Sequence, residues 1–143
     1  RCFDVTSRTL DIVFNELSKL NVFLEGIVLK PNMVVSAIDC EHQATPDEVS
    51  QMTVDCLKSN VPSSVPGIAF LSGGQTSDLA TEHLNLMNKN NLDSLPWNLT
   101  YSYGRALQAD ALTSWGGKNR KLGQESLLER ARNNSLASTG DFS

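Results

Sequence analysis

The chain has 143 residues, of which 40% are hydrophobic and 20% charged, a composition that excludes a disordered or fibrous protein and is typical of one globular domain. Its formal net charge of −4 leaves no basic stripe to displace phosphate counterions, so general nucleic-acid binding is excluded. No apolar stretch approaches the roughly 18 residues of a membrane-spanning helix, so no membrane partner is expected.

The predicted elements follow the order α-β-α-β-α-β-α-α, because apolar residues alternate between helical spacing and short continuous runs. The first such run predicts a parallel strand buried on both faces. A capping box at Thr45-Pro46-Asp47-Glu48 opens the helix after it. In chain order, the predicted helices cover about residues 4–20, a segment opened by Thr45, a segment opened by Thr76, residues 105–114 and residues 120–137, and the predicted strands cover residues 22–29, 68–71 and 97–101.

Strands that alternate with helices predict a parallel sheet. Three strands are few, since such a sheet needs both faces covered and its two edges would stay open. Two architectures fit: a small open α/β domain, or one arc of a closed barrel. Periodicity alone does not choose between them.

Cysteines and histidines limit the chemistry further. Cys2, Cys40 and Cys56 are odd in number and lack C-x-x-C spacing, so we expect free thiols in a reducing, cytoplasmic compartment. His42 and His83 show no metal-ligand spacing, and we expect both to be solvated or to cap helices. The sequence therefore predicts no metal site.

Lys30 stands directly after the first apolar run and before Pro31, which stops the strand. The ammonium group therefore lies at the carboxyl end of the strand, where α/β proteins bind ligands. Desolvation at a partly buried strand end would favour the neutral amine, which could attack a ketone and form an imine. The alternative is a lysine that only binds phosphate or pairs with a carboxylate.

Two glycine-containing turns follow the other two predicted strands. Ser72-Gly73-Gly74 lies between a strand and a helix, so its backbone N–H groups could bind an anion, although such turns also occur without a ligand. Ser102-Tyr103-Gly104-Arg105 adds a guanidinium near a helix start, which the helix dipole disfavours unless an anion is bound there. Together with Lys30, these turns suggest a site for a phosphorylated carbonyl compound.

Several long motifs, in the same order along nearly the whole chain, resemble class I fructose-1,6-bisphosphate aldolase. The motifs are Leu24–Val34, Gly67–Gln75, Thr100–Gln108, Trp115–Lys118 and Asn134–Ala137. The resemblance implies an α/β fold in which residues 1–143 form the carboxyl-terminal part of a single barrel domain, namely the last three βα units of a TIM (β/α)8 barrel plus a carboxyl-terminal helix.

The resemblance also implies roles for individual residues. Lys30 would form the Schiff base, while Ser72, Gly73 and Gly74, and in the third turn Ser102, Gly104 and Arg105, would bind the phosphates of a sugar-phosphate substrate. The implied reaction is reversible cleavage of fructose 1,6-bisphosphate to dihydroxyacetone phosphate and glyceraldehyde 3-phosphate, with no metal or other cofactor. Members of the family are commonly homotetramers.

Two departures from the family pattern matter. The acid/base glutamate and further lysines of the upstream strands are absent, and the family's longer tail ending in tyrosine is absent after Ser143. We therefore expect a fragment that needs the remainder of the aldolase barrel as its partner and is inactive alone. The alternative is a non-catalytic phosphate-binding or interaction module derived from an aldolase. In an isolated segment, Val28, Ile68, Leu71 and Leu99 are expected to lose partners in the barrel interior.

Overall fold

The computed structural model describes residues 1–92 and 94–143 and confirms the predicted order of helices and strands. Within the described residues there are five α-helices, three strands and one short 3₁₀ helix. The helices are α1 (Cys2–Lys19), α2 (Pro46–Asn60), α3 (Ser77–Lys89), α4 (Arg105–Trp115) and α5 (Arg120–Ala137), the strands are β1 (Val28–Leu29), β2 (Gly67–Phe70) and β3 (Asn98–Tyr101), and the 3₁₀ helix is Leu24–Gly26.

The three strands form one parallel sheet in the order β1-β2-β3. Leu29 is in register with Ile68, which is in register with Leu99. Because all three strands run in the same direction, their carboxyl ends meet at one edge of the sheet. The segments that follow the strands are thereby placed side by side.

The two faces of the sheet differ in burial. Ile68, Phe70 and Leu99 belong to the hydrophobic core and expose 0%, 0% and 4% of their surface. Side chains alternate along a strand, so the neighbours of these residues point to the opposite face. On that open face Val28 is 64% exposed. The expectation that Ile68 and Leu99 would lack partners was wrong, because both lie on the covered face.

The first strand is shorter than the sequence predicts. A 3₁₀ turn precedes it, in which Gly26 N–H donates to the carbonyl of Phe23 at 3.1 Å and Ile27 N–H to that of Leu24 at 3.3 Å. The prediction of a strand over residues 22–29 that is buried on both faces was therefore wrong. β1 pairs only with β2 in the described residues, and its apolar composition could not reveal that its other side has no partner here.

Helix starts agree closely with the sequence. The capping box of α2 is complete: Thr45 accepts from Glu48 N–H at 3.3 Å, and the Glu48 carboxylate accepts from Thr45 N–H at 2.8 Å. These bonds from the Thr45 backbone and side chain lower the pKa of Glu48. Thr76 caps α3 by accepting from Leu79 N–H.

One arginine side chain links helices α3, α4 and α5. Arg130 of α5 exposes only 12% of its side chain and pairs with Asp78 of α3 at 2.7 Å and with Asp110 of α4 at 3.1 Å. It also donates to Thr81 at 3.3 Å. Close approach of α4 and α5 needs Gly123, since a Cβ atom there would lie 2.8 Å from Trp115 Cβ.

Candidate functional site

Every predicted site residue lies at the carboxyl edge of the sheet. Lys30 directly follows β1, Ser72 follows β2 after one residue, and Ser102 directly follows β3. Extending the register places Lys30 level with Ala69 and Thr100, on the open face. Lys30 and β3 are two strand spacings apart, about 10 Å. A ligand the size of a sugar phosphate could therefore contact all three strand ends.

Lys30 is exposed. None of the ion pairs among the described residues involves it. The expectation that its strand end is partly buried was wrong for this chain, because β1 is short and its open face is bare. The described residues therefore leave this amine in contact with solvent.

The Ser72-Gly73-Gly74 turn has the backbone conformation that requires glycine. Gly73 has φ +58° and Gly74 has φ +84°, a left-handed region that other residues enter at a cost. Both glycines are exposed, whereas Ser72 is 9% exposed. The turn therefore presents its backbone to solvent at the start of α3, as an anion-binding turn would.

Two side chains that the sequence analysis did not place in the site support this turn. The amide Nε2 of Gln75 donates to the carbonyl of Ser72 at 2.8 Å, and its Oε1 lies 2.6 Å from Nδ1 of His83. The prediction that His83 is solvated or caps a helix was wrong: it is 4% exposed, and burial lowers its pKa to about 4. His42, by contrast, is exposed.

The third turn is anchored by Tyr103. Its hydroxyl donates to the carbonyl of Ala80 in α3 at 2.7 Å, and burial raises the pKa of this hydroxyl. Ser102, Gly104 and Arg105 are exposed around it. This hydrogen bond ties the start of α4 to α3 and so fixes the third turn relative to the second.

The start of α4 carries a positive charge that has no anionic partner among the described residues. Gly104 is its N-cap residue and no side chain caps it. Leu107 N–H donates to the Gly104 carbonyl at 3.1 Å, while the N–H groups of Arg105 and Ala106 are available to another acceptor. Arg105 follows at once, is exposed, and forms none of the ion pairs among the described residues. A cation at this position is unfavourable to the helix dipole, and a bound anion would reverse that.

A cleft of about 260 Å³ lies between the starts of α3 and α4. It is lined by Gln75, Thr76, Ser77, Arg105, Ala106, Ala109 and Asp110. Arg105 and the residue after the glycine pair thus meet at one cavity, whereas Lys30 does not line it. The carboxylate of Asp110 is paired with Arg130, which leaves Arg105 as the unpaired charge of the cleft within the described chain.

Other chemistries find little support among the described residues. No group of three or more His, Cys, Asp or Glu side chains there could hold a metal ion. Cys2, Cys40 and Cys56 are free thiols, as predicted, and burial raises the pKa of Cys56, which disfavours the reactive thiolate. Across the described part of the chain, the helices are too short or too polar to cross a bilayer.

Gln75, His83 and Tyr103 are the supporting residues that sequence reasoning missed. Gln75 was visible only as the residue after a glycine pair. The spacing of eight residues to His83 gives no signal, because the contact depends on how α3 packs relative to the turn.

Comparison with known proteins identifies one family. The family model for fructose-bisphosphate aldolase class-I matches residues 1–143. A probable fructose-bisphosphate aldolase class 1 of Xylella fastidiosa strain 9a5c is 51% identical over 143 residues, covering 98% of this chain and 42% of its own length. Fructose-bisphosphate aldolase B of Gallus gallus is 49% identical over 144 residues, covering 99% of this chain and 39% of its own length.

A solved structure agrees with the sequence relatives. The fructose-bisphosphate aldolase of Plasmodium falciparum, in a ternary complex with TRAP and a small-molecule inhibitor, matches 99% of this chain with a TM-score of 0.94 and 44% identity. The match covers 41% of that chain. The predicted fold, the last three βα units of a (β/α)8 barrel with a carboxyl-terminal helix, is confirmed. This chain spans about two fifths of the length of the relatives it matches.

Proposed function

Because the chain belongs to the class-I fructose-bisphosphate aldolase family, we propose that residues 1–143 are the carboxyl-terminal part of a single barrel domain with aldolase activity. The reaction is reversible cleavage of fructose 1,6-bisphosphate to dihydroxyacetone phosphate and glyceraldehyde 3-phosphate. It proceeds in a cytoplasmic homotetramer that serves glycolysis and gluconeogenesis. The free thiols support a reducing compartment.

The chemistry begins at Nζ of Lys30. The neutral amine adds to the ketone carbonyl of the substrate, and loss of water gives a protonated imine. The bond between the α and β carbons of the imine then breaks as a base takes the proton of the β-hydroxyl group. Its electron pair moves toward the iminium nitrogen to form an enamine, and the aldehyde product leaves. Protonation of the resulting enamine and hydrolysis of the imine release the second product and restore the amine.

The proton transfers need a general acid/base that the described site does not supply near Lys30. The acid/base glutamate comes from the upstream part of the barrel, as does the surface that covers the open face of the sheet. That covering also desolvates Lys30, which stabilises the neutral amine. The remainder of the barrel is thus a required partner of this segment.

Phosphate binding falls to the two turns. The exposed backbone of Ser72, Gly73 and Gly74 and the segment Ser102, Gly104 and Arg105 hold the substrate phosphate by N–H groups and the guanidinium. Charge-assisted bonds of this kind position the carbonyl near Lys30 and take no part in bond breaking. The observation that carries the proposal is that Lys30 and both turns lie at one edge of the sheet.

Trapping the imine tests the proposal. The complete barrel containing this segment is treated with borohydride in the presence of dihydroxyacetone phosphate, and the adduct is located by peptide mass mapping. We expect it on Lys30, and Lys30→Met should abolish it while the fold is retained. Lys19, Lys58 and Lys118 serve as internal controls.

An adduct on one of the control lysines would refute the assignment of Lys30. Phosphate binding without any adduct would favour the alternative, a non-catalytic phosphate-binding module derived from an aldolase.

A further inference from the structure

Gln75 connects three separate parts of the candidate site. Its Nε2 atom donates to the carbonyl of Ser72 at 2.8 Å and lies 3.5 Å from Sδ of Met33. Met33 lies three residues after Lys30 and is 1% exposed. Its Oε1 atom lies 2.6 Å from Nδ1 of His83. A single side chain therefore touches the exit of β1, the turn after β2 and helix α3.

The direction of these hydrogen bonds follows from the chemistry of the groups. The Ser72 carbonyl can only accept, so the amide nitrogen of Gln75 has to face it. The amide oxygen then faces His83, which has to donate from Nδ1. Nδ1 of His83 therefore carries a proton. Burial lowers the pKa of His83 to about 4, which keeps the ring neutral near pH 7, and its buried Nε2 has no partner among the described residues.

The turn itself has few other restraints. Gly73 and Gly74 are exposed, and both have positive φ, so they are free to adopt many conformations when unheld. The Ser72 carbonyl is held twice by Gln75, through its backbone N–H at 3.0 Å and through Nε2. Small displacements of groups that position a substrate weaken its binding strongly.

We propose that His83 is a positioning residue for the phosphate turn: its Nδ1–H fixes the side chain of Gln75, which holds Ser72-Gly73-Gly74 in the conformation that binds the substrate phosphate. The inference rests on the proposed aldolase function and deepens it. His83 does not touch the substrate, and it acts only through Gln75. The interaction links α3 to phosphate recognition by way of a buried imidazole.

Two matched variants of the complete barrel test this role. His83→Asn places an amide N–H the same number of bonds from the backbone as Nδ1 and keeps the donor. His83→Leu has nearly the same shape as the asparagine but no donor. We expect His83→Leu to raise the KM for fructose 1,6-bisphosphate about three- to tenfold, the range of one lost neutral hydrogen bond, with little change in kcat. His83→Asn should stay near the parent value.

A double substitution tests the path through Gln75. Gln75→Met keeps the length of the side chain and removes both polar atoms, and Gln75 is only partly buried, so this variant also serves if His83→Leu does not fold. Gln75→Met should raise KM at least as much as His83→Leu. Adding His83→Leu to it should cause no further rise, since residues acting through one contact are not additive.

The outcomes separate the two proposals. An active parent whose KM is unchanged by His83→Leu, or raised equally by His83→Leu and His83→Asn, would overturn the role of His83 alone. Additive effects of the Gln75 and His83 substitutions would overturn the path through Gln75. A complete barrel that cannot cleave fructose 1,6-bisphosphate before any substitution would overturn the proposed function and this inference with it.

Discussion

Arg105 shows at the scale of one residue how an unfavourable local charge points to a ligand. It is exposed at the first position of α4, whose N-cap residue offers no side-chain cap. If it binds substrate phosphate, Arg105→Ala loses a charge-assisted contact of roughly 1.5–3 kcal/mol, about ten- to a hundredfold in affinity. Unphosphorylated fructose should be affected far less, as comparison of kcat/KM for the two substrates will show.

Arg105→Lys is the matched control for that experiment. It keeps the positive charge but loses the planar guanidinium, which can bind phosphate through two N–H groups. Its kcat/KM for the bisphosphate should therefore lie between those of the parent and the alanine variant. Equal losses for fructose and for its bisphosphate would mean that Arg105 has another task than phosphate recognition.

The backbone conformation of Gly73 limits which residues can replace it. Its φ is +58° and a Cβ atom would lie 3.4 Å from Leu71 Cδ1, so strain rather than space is the obstacle. Gly73→Ala should lower the free energy of unfolding of the complete protein by about 1–2 kcal/mol. Gly73→Asn should cost less, because asparagine tolerates the left-handed region better. Denaturant titration measures both, and equal costs would contradict the role of backbone strain.

Helix α2 illustrates stabilisation at the scale of an element. Thr45 caps it and Glu48 completes the capping box. Thr45→Ala should lower the free energy of unfolding by about 1 kcal/mol at neutral pH, while Thr45→Ser should retain most of the cap. Chemical denaturation of the complete barrel, with each variant beside the parent, gives this difference.

The same element predicts a pH dependence with a definite sign. The bonds from Thr45 hold the pKa of Glu48 below 4.5, its ordinary value. A carboxyl whose folded pKa is depressed contributes stability above its unfolded pKa, and that contribution disappears as the pH falls through the folded value. The difference between the parent and Thr45→Ala should therefore shrink below about pH 4. A difference that is constant across this range would contradict the role of the charged carboxylate.

The sheet sets the behaviour of the whole molecule. On its open face Val28 is 64% exposed and Lys30 is also exposed. Three strands alone cannot close a barrel. We therefore expect the 143-residue segment, expressed alone, to lack aldolase activity and to aggregate or melt without cooperativity. Coexpression with the complementary amino-terminal part of the barrel should restore cleavage. Activity assays and size-exclusion chromatography on the two preparations make the contrast.

A monomeric segment that melts cooperatively and cleaves fructose 1,6-bisphosphate without its complement would contradict this prediction. It would also show that the open sheet face needs no cover and that the acid/base group lies within these residues.

The sequence alone determined what depends on neighbours along the chain. The order of helices and strands, the caps at Thr45 and Thr76, and the glycine turn after β2 all follow from short-range patterns of polarity and conformation. The placement of Lys30, Ser72 and Arg105 at the ends of three parallel strands was predictable for the same reason, and the long motifs carried the family.

Only the tertiary structure decided what depends on distant parts of the chain. An apolar run predicts burial on both faces, but β1 has one partner here, so Val28 and Lys30 are exposed. His83 looked like a surface residue, yet α3 packs so that its ring reaches Gln75. Burial and hydrogen bonding between distant residues depend on which surfaces meet after folding. The spacing of residues along the sequence does not reveal which surfaces these are.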